Sequence, residues 1–239
     1  MNLVIQSLWI GSRLSAMERL CIRSFLAFQH EFHLYVYETP VGVPPGVKLR
    51  DASEILPSSR IFVYKDHNSY AGFANFFRYK LLLERGGWWC DMDTVALQPF
   101  HLSSRYIFSS EGIRGRKTVN AGVIKVPPSS TVMEYAWQRC SQMDPALLKW
   151  GESGPRLLAE AVAATGMGKF VREPHVFCPV HFSECDRFLQ PGIEWDFGPE
   201  VYAIHLWNEM WRRSSCDKDR QYDSDCLYQR LRALYRSDD

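Results

Sequence analysis

The sequence predicts an α/β fold in which a mixed, mostly parallel sheet is flanked by helices. The chain opens on an apolar run, an amphipathic stripe and a second apolar run, the pattern of two parallel strands joined by a crossover helix. A later stripe, with Phe73, Phe77 and Leu81 spaced by four and Phe76 and Leu83 beside them, stops at Gly86-Gly87. It runs straight into Trp88-Trp89-Cys90, whose bulk favours a strand entering the interior. Length agrees: 239 residues suit one α/β domain better than two small ones and can bury a sizeable core.

Taken in order, residues 3–10 read as the first buried strand, Gly11-Ser12 as a turn, and 14–29 as a helix with Leu14, Met17, Cys21, Phe25 and Phe28 on one face. Residues 32–37 alternate as a second strand, 41–46 form a Pro- and Gly-rich loop, and 47–57 read as a short strand and helix. The polar stretch 65–72 leads to the central helix, and the strand after it delivers Asp91 and Asp93. Residues 95–99 are expected to continue the sheet. Strands at 106–109 and 121–126 are expected to flank a glycine-rich, basic loop at 112–117. Helices are expected at 130–140 and 154–164, the latter with Pro155 in its first turn, where a missing N–H does no harm. Residues 174–179 and 201–207 read as the last strands. The end, 222–235, reads as a helix packing Leu227, Leu231 and Leu234 with Arg230, Arg232 and Arg236 opposite.

Composition narrows the function classes. Lys and Arg total 28 against 27 Asp and Glu, so no global field is present to hold nucleic acid. The first residues lack a basic n-region, and no segment approaches the ~18 continuous apolar residues of a membrane span. At most peripheral membrane contact is expected, through the C-terminal helix. Seven cysteines, an odd number, fit reduced thiols and a cytoplasmic location. Several fragments of known motifs fail on spacing. Gly166-Met167-Gly168 has Val171 where a dinucleotide fingerprint needs glycine, and Gly151-Glu152-Ser153-Gly154 has Pro155 where a nucleophile elbow needs one. His175, Cys178, His181 and Cys185 lack the paired spacing of a zinc finger, and Asp217, Asp219, Asp223 and Asp225 lack the glycine and Glu of a calcium loop, reading instead as a solvated face.

The chemistry concentrates at Asp91-Met92-Asp93. In an extended chain residues two apart point the same way, so both carboxylates are expected to face one spot at the strand's end. Paired carboxylates repel unless a cation joins them, and oxygen ligands of this kind suit Mg²⁺ or Mn²⁺. Asn75 and Arg78, three apart, share the helical face aimed at that strand end. Asn120-Ala121-Gly122 offers an amide and a position where backbone can approach a ligand closely.

Arg78, the helical run, Gly86-Gly87, the aromatic pair and Asp91-Met92-Asp93 together resemble the DXD glycosyltransferases of the sugar-binding-region family, which includes α1,4-galactosyltransferase-like and initiating mannosyltransferase-like enzymes. Asn120-Ala121-Gly122, Gly154-Pro155 and the run Ala203 to Asn208 extend the resemblance over most of the chain. It implies a single GT-A catalytic domain over 1–239, with a nucleotide-sugar-binding half (1–100) and an acceptor-side half (101–239). It also implies a nucleotide-sugar donor, most often UDP-linked, a divalent cation (Mn²⁺ or Mg²⁺) and retention of configuration. By position, it assigns the metal to Asp91, Asp93 and His205. Donor contacts fall to Trp9, Gly11, Asn75, Arg78, Asp91, Asn120, Trp207 and Asn208. Catalysis falls to Asp91, Asp93 and Arg78, with Glu111 as the carboxylate nominated for a covalent route beside front-face attack. Asn75 stands where the family more often has Asp, which removes a charge and leaves the sugar open. The acceptor is a glycan, a lipid-linked saccharide or a protein side chain, as in glycosylating toxins. Two rivals remain at this point: a glycoside hydrolase, for which two carboxylates on one strand are poorly placed to flank a bond, and a non-catalytic carbohydrate-binding homologue.

Overall fold

In the computed structural model, residues 4–65, 67–113 and 115–236 are described, so Leu3 of the expected first strand and Arg114 of the expected basic loop lie outside them. The chain opens with β1 (Ile5–Trp9), α1 (Ala16–Ala27) and β2 (Phe32–Val36). β1 and β2 pair in parallel, Ile5 opposite Phe32 through Trp9 opposite Val36, so the opening is the crossover unit the pattern predicts. A capping box starts α1: Ser15 Oγ accepts from Met17 N at 3.2 Å, and Glu18 accepts from Ser15 N at 2.7 Å. β3 (Lys48–Asp51) extends the sheet in parallel beyond β2.

α2 (Ala71–Arg85) buries Phe73, Phe77 and Leu81 completely, and each large apolar side chain hidden this way contributes about 1.5–3 kcal/mol relative to exposure. Gly86 stops the helix at φ +60°, its N–H still bonded to Leu82 O at 3.0 Å. A Cβ there would lie 2.3 Å from Pro128 N, so the position excludes side chains on space as well as on φ. β4 (Gly87–Cys90) enters the sheet parallel to β1. Its two tryptophans alternate across the pleat, Trp88 into the core beneath α1 and Trp89 into the core beneath α2.

After the site turn, β5 (Thr94–Ala96) leaves the sheet instead of continuing it. It forms a separate antiparallel ribbon with β8 (Ala203–His205), Thr94 opposite His205. Residues 95–99 therefore do not extend the main sheet; the turn at 91–94 redirects the chain. β6 (Ile107–Ile113) and β7 (Arg116–Val126) form a hairpin, so most of the expected loop 112–117 is strand. The six-stranded order is β3-β2-β1-β4-β7-β6, and only β7 runs against the others.

α3 (Thr131–Ser141) and α4 (Leu157–Ala164) cover the α2 side of the sheet. A π turn (Glu152–Arg156) precedes α4 and carries Pro155, so the regular helix starts later than expected. Residues 174–177 are helical, not extended: α5 (Pro174–Phe177) is one turn with Pro174 at its start, where the fixed proline φ suits a helix and an extended Glu173 precedes it. α6 (Asn208–Arg213) follows β8, and α7 (Leu227–Leu234) packs Leu227 and Leu231 against the α1 core while Leu234 stays exposed. Among the described residues no helix is long and apolar enough to cross a membrane, and all seven cysteines are free.

Candidate active site

β1 lies between β2 and β4, which the chain visits in opposite directions, so the β1/β4 boundary is a topological switch point. Open α/β sheets bind ligands in the crevice beyond the carboxyl ends of their strands at such a point. Trp9 ends β1 and Asp91 follows β4 there, at a chamber of about 910 Å³ lined by every candidate metal, donor and catalytic residue named above except Gly11. Gly11 sits outside the lining, at φ +147°, where an added Cβ would lie 3.4 Å from Trp9 Nε1. That Nε1 is buried and has no hydrogen-bond partner among the described residues.

Asp91 and Asp93 meet, but not through strand alternation. β4 ends at Cys90 and the chain turns, Thr94 N bonding Asp91 O at 3.0 Å, so a turn aims both carboxylates. Asp91 N bonds Gly122 O at 2.8 Å, tying this turn to β7. Asp91 Oδ1 accepts from Trp89 Nε1 at 2.7 Å and pairs with the Arg78 guanidinium. Arg78 is 4% exposed, lies over the Trp89 ring at 4.8 Å and donates to Asn75 Oδ1 at 2.8 Å. A buried guanidinium held on three sides is a preorganised cation beside the carboxylates.

His205 reaches the pair because its ribbon register places it opposite Thr94 and because Leu206 N bonds Asp93 O at 2.7 Å. Its Nε2 lies 3.1 Å from Asp93 Oδ1, while Asn208 N donates to Asp93 Oδ2 at 2.8 Å. Trp207, at φ +60°, packs its ring 4.0 Å from the imidazole and donates Nε1 to Val180 O at 2.9 Å. Burial pushes the Asp91 carboxyl above its usual range, with Asp93 adding to the shift and Arg78 opposing it. Burial would raise Asp93 too, but the His205 charge and hydrogen bond, with the Asn208 N–H, hold it below its usual value. His205 is the mirror case: burial lowers it, and Asp93 outweighs burial to raise it well above an ordinary histidine.

Ligand atoms of Asp91, Asp93 and His205 all fall within 4.8 Å of one another, the one such group of His, Cys and carboxylates found among the described residues. The His175 to Cys185 run forms no such cluster. Two carboxylates and one imidazole are a donor set that could hold a divalent ion.

The hairpin supplies the opposite wall. Asn120 Oδ1 accepts from Gly122 N at 2.7 Å, and its Nδ2 donates to Glu111 at 3.2 Å, so Glu111, 7% exposed, is fixed at the chamber's edge. An added Cβ at Gly122 would lie 2.9 Å from Asn120 Oδ1 and 3.3 Å from His205 Cε1; glycine there lets β7 pass close to the imidazole. The sequence reading missed several residues in or behind the wall. Ser153, fully buried, lies 3.4 Å from Asn75 Nδ2 and 3.2 Å from the Tyr64 hydroxyl, continuing the polar chain that starts at Asp91 and Arg78. At the other end Lys218 pairs with buried Glu18 at 2.5 Å and stands over Trp9 at 5.8 Å. Asp219 accepts from Ala16 N at 2.8 Å, so this exposed acidic run also anchors the start of α1. The Ser15-x-x-Glu18 pattern was a usable signal; the 200-residue separation of Lys218 from Glu18 left none.

No protein-family model matches the chain, and no curated protein matches it in sequence. In fold it is similar to the PaToxG glycosyltransferase, at TM-score 0.51 and 12% identity, over 97% of this chain and 86% of that one. More distant are apo glycosyltransferase GlyE of Streptococcus pneumoniae TIGR4 and the catalytic domain of α-toxin from Clostridium novyi. The first has TM-score 0.39 and 12% identity over 72% of this chain and 45% of that one. The second has TM-score 0.38 and 10% identity over 98% and 76%. The likeness to PaToxG, at 12% identity, establishes the fold alone: the mixed sheet flanked by helices is the GT-A-like arrangement.

Proposed function

We propose that this protein is a metal-dependent glycosyltransferase that moves a hexose or N-acetylhexosamine from a nucleotide sugar, UDP-linked by preference, to a hydroxyl acceptor with retention of configuration. The observation that carries the reading is the Asp91, Asp93 and His205 cluster, with Arg78 bonded into it, at the switch point of the sheet. The resemblance of the surrounding motifs to the DXD sugar-binding-region family supports the same reading. Residues 1–100 supply most of the donor side, and 101–239 supply Glu111, Asn120 and the acceptor side.

Asp91, Asp93 and His205 would hold Mn²⁺ or Mg²⁺. When bound, that ion supplies Lewis-acid neutralisation of the leaving diphosphate, an effect worth several kcal/mol. The chain does the rest. Arg78 fixes Asp91 and offers a guanidinium to donor oxygens, with Asn75 beside it for a sugar hydroxyl. Asn208 and Trp207 hold Asp93 and His205 in place from the α6 side. Trp9, with an unspent N–H, is our candidate for the nucleobase platform. Glu111 is our candidate for the carboxylate that either attacks the anomeric carbon or orients the acceptor in front-face attack. Its support is its burial in the chamber wall and its bond from Asn120. The acceptor is a glycan, a lipid-linked saccharide or a protein, and we place the reaction in the cytoplasm because the cysteines are all free thiols.

The test is nucleotide release from a panel of nucleotide sugars, with and without Mn²⁺. Metal-dependent release from one donor, lost in Asp93→Asn, supports the proposal. Release unaffected by excess chelator refutes the metal, and release from none refutes the transferase.

A further inference from the structure

The chamber's lining is not uniform. Toward β1 lie Trp9, Glu18 and Lys218. On the far side, past Asn75, the wall changes character. Tyr64 and Tyr70 stand there with Trp150, and Arg213 reaches across from α6. Trp150 is half-buried on the turn before Gly151, its ring 5.2 Å from Tyr64 and 4.8 Å from His67. The Arg213 guanidinium lies over that ring at 4.9 Å, while its Nε is bonded to Glu209 at 2.8 Å. A flat indole opening on a ligand chamber, with a guanidinium that is 41% exposed lying over it, is a surface that a ring-shaped ligand can take over.

Resting on the transferase reading, we infer that Trp150 is the acceptor-contact residue, that the ligand is a saccharide whose apolar ring face stacks on the indole, and that Arg213 is its placeholder, displaced when the acceptor enters. The switch-point geometry gives the β1 side to the nucleotide, which leaves the Trp150 side to the acceptor. A saccharide fits better than a protein. Of the large exposed apolar residues among those described, only Tyr70 lines the chamber, and Val41, Leu49, Leu147 and Leu234 do not, so its mouth lacks an apolar patch of the kind that docks a protein. Tyr64 holds Trp150 in position, since its hydroxyl is tied to Ser153 at 3.2 Å and through Ser153 to Asn75.

A placeholder and a platform should respond with opposite signs. With the donor identified by nucleotide release into water, wild type, Trp150→Ala, Trp150→Phe and Arg213→Ala are compared for that release and for transfer to an array of glycans. We expect equal release into water in all four. Trp150→Ala should raise the glycan KM about tenfold, and Trp150→Phe should restore most of it. Arg213→Ala should lower the KM about two- to fivefold, the equivalent of the ~0.5–1 kcal/mol of an exposed cation–π contact that no longer competes. An unchanged KM in Trp150→Ala, a raised KM in Arg213→Ala, or acceleration by proteins and by no glycan would overturn the inference while release into water survives. Absence of release in wild type sinks the transferase reading instead, and this assignment with it.

Discussion

Replacing Asp91 and replacing Asp93 should not cost the same. Asp91 pairs with Arg78, which is 4% exposed, so Asp91→Ala strands a buried guanidinium and should lower stability by about 3 kcal/mol besides ending activity. Asp93→Asn keeps an acceptor for the Asn208 N–H and should abolish metal-dependent turnover with little change in melting temperature. Urea unfolding of the two variants against wild type measures the difference; equal stability would mean that Asn75 and Trp89 suffice to hold Arg78. Arg78→Lys should reduce kcat/KM at least tenfold with a smaller loss of stability, because an ammonium cannot fork to Asp91 and Asn75 together. At this scale the sequence revealed more of what than of how. The Asp-x-Asp spacing announced a carboxylate pair, yet a turn brings the pair together. His205 entered only by resemblance, because 112 residues separate it from Asp93. Ser153 and Trp150 gave no signal, since contact between a loop and a helix face leaves no periodicity to read.

The helix-to-strand junction at Gly86 is the element on which the site's placement depends. Gly86→Ala should cost roughly 2 kcal/mol or more, from a non-glycine φ of +60° and a Cβ 2.3 Å from Pro128 N. Thermal unfolding would show it, and a loss under 0.5 kcal/mol would mean that the 127–128 segment yields. A second element-scale expectation concerns pH at the β2/β3 edge. Glu31 bonds Lys48 and His33, and these partners draw its carboxyl down to about 2. Its folded value lies below its unfolded one, so its stabilising contribution is present above about 4.5 and is lost as pH falls toward about 2. Glu31→Gln should therefore be less stable than wild type at neutral pH and approach it in acid, and a constant difference across that window would remove the carboxylate from the account. Strands and helices with strong periodicity, α1, α2, β1 and β2, were legible from sequence. β5 was not, since an apolar run does not say which strand it will join, and α5 was not, since one turn between two prolines is too short to show a helical period.

For the whole molecule, a donor should act as a brace. UDP with Mn²⁺ at about 100 times its Kd should stabilise the fold by ~2.7 kcal/mol, or about 5–10 °C in melting temperature for a chain of this size. The shift should vanish in Asp93→Asn, and its persistence there would place the nucleotide elsewhere. The brace also has a history in time. Trp9 and Glu18 come early in the chain, whereas His205, Asn208, Lys218 and Asp219 come late, and Asp219 supplies the bond that holds Ala16 N at 2.8 Å. During synthesis, which proceeds from the N-terminus at about 5–20 residues per second, the first crossover unit can emerge and collapse long before its ligand pocket exists. Until residue 219 has left the ribosome, the start of α1 lacks the Asp219 bond to Ala16 N, and the first crossover unit must hold together on its own packing and on the strands and helices that emerge after it.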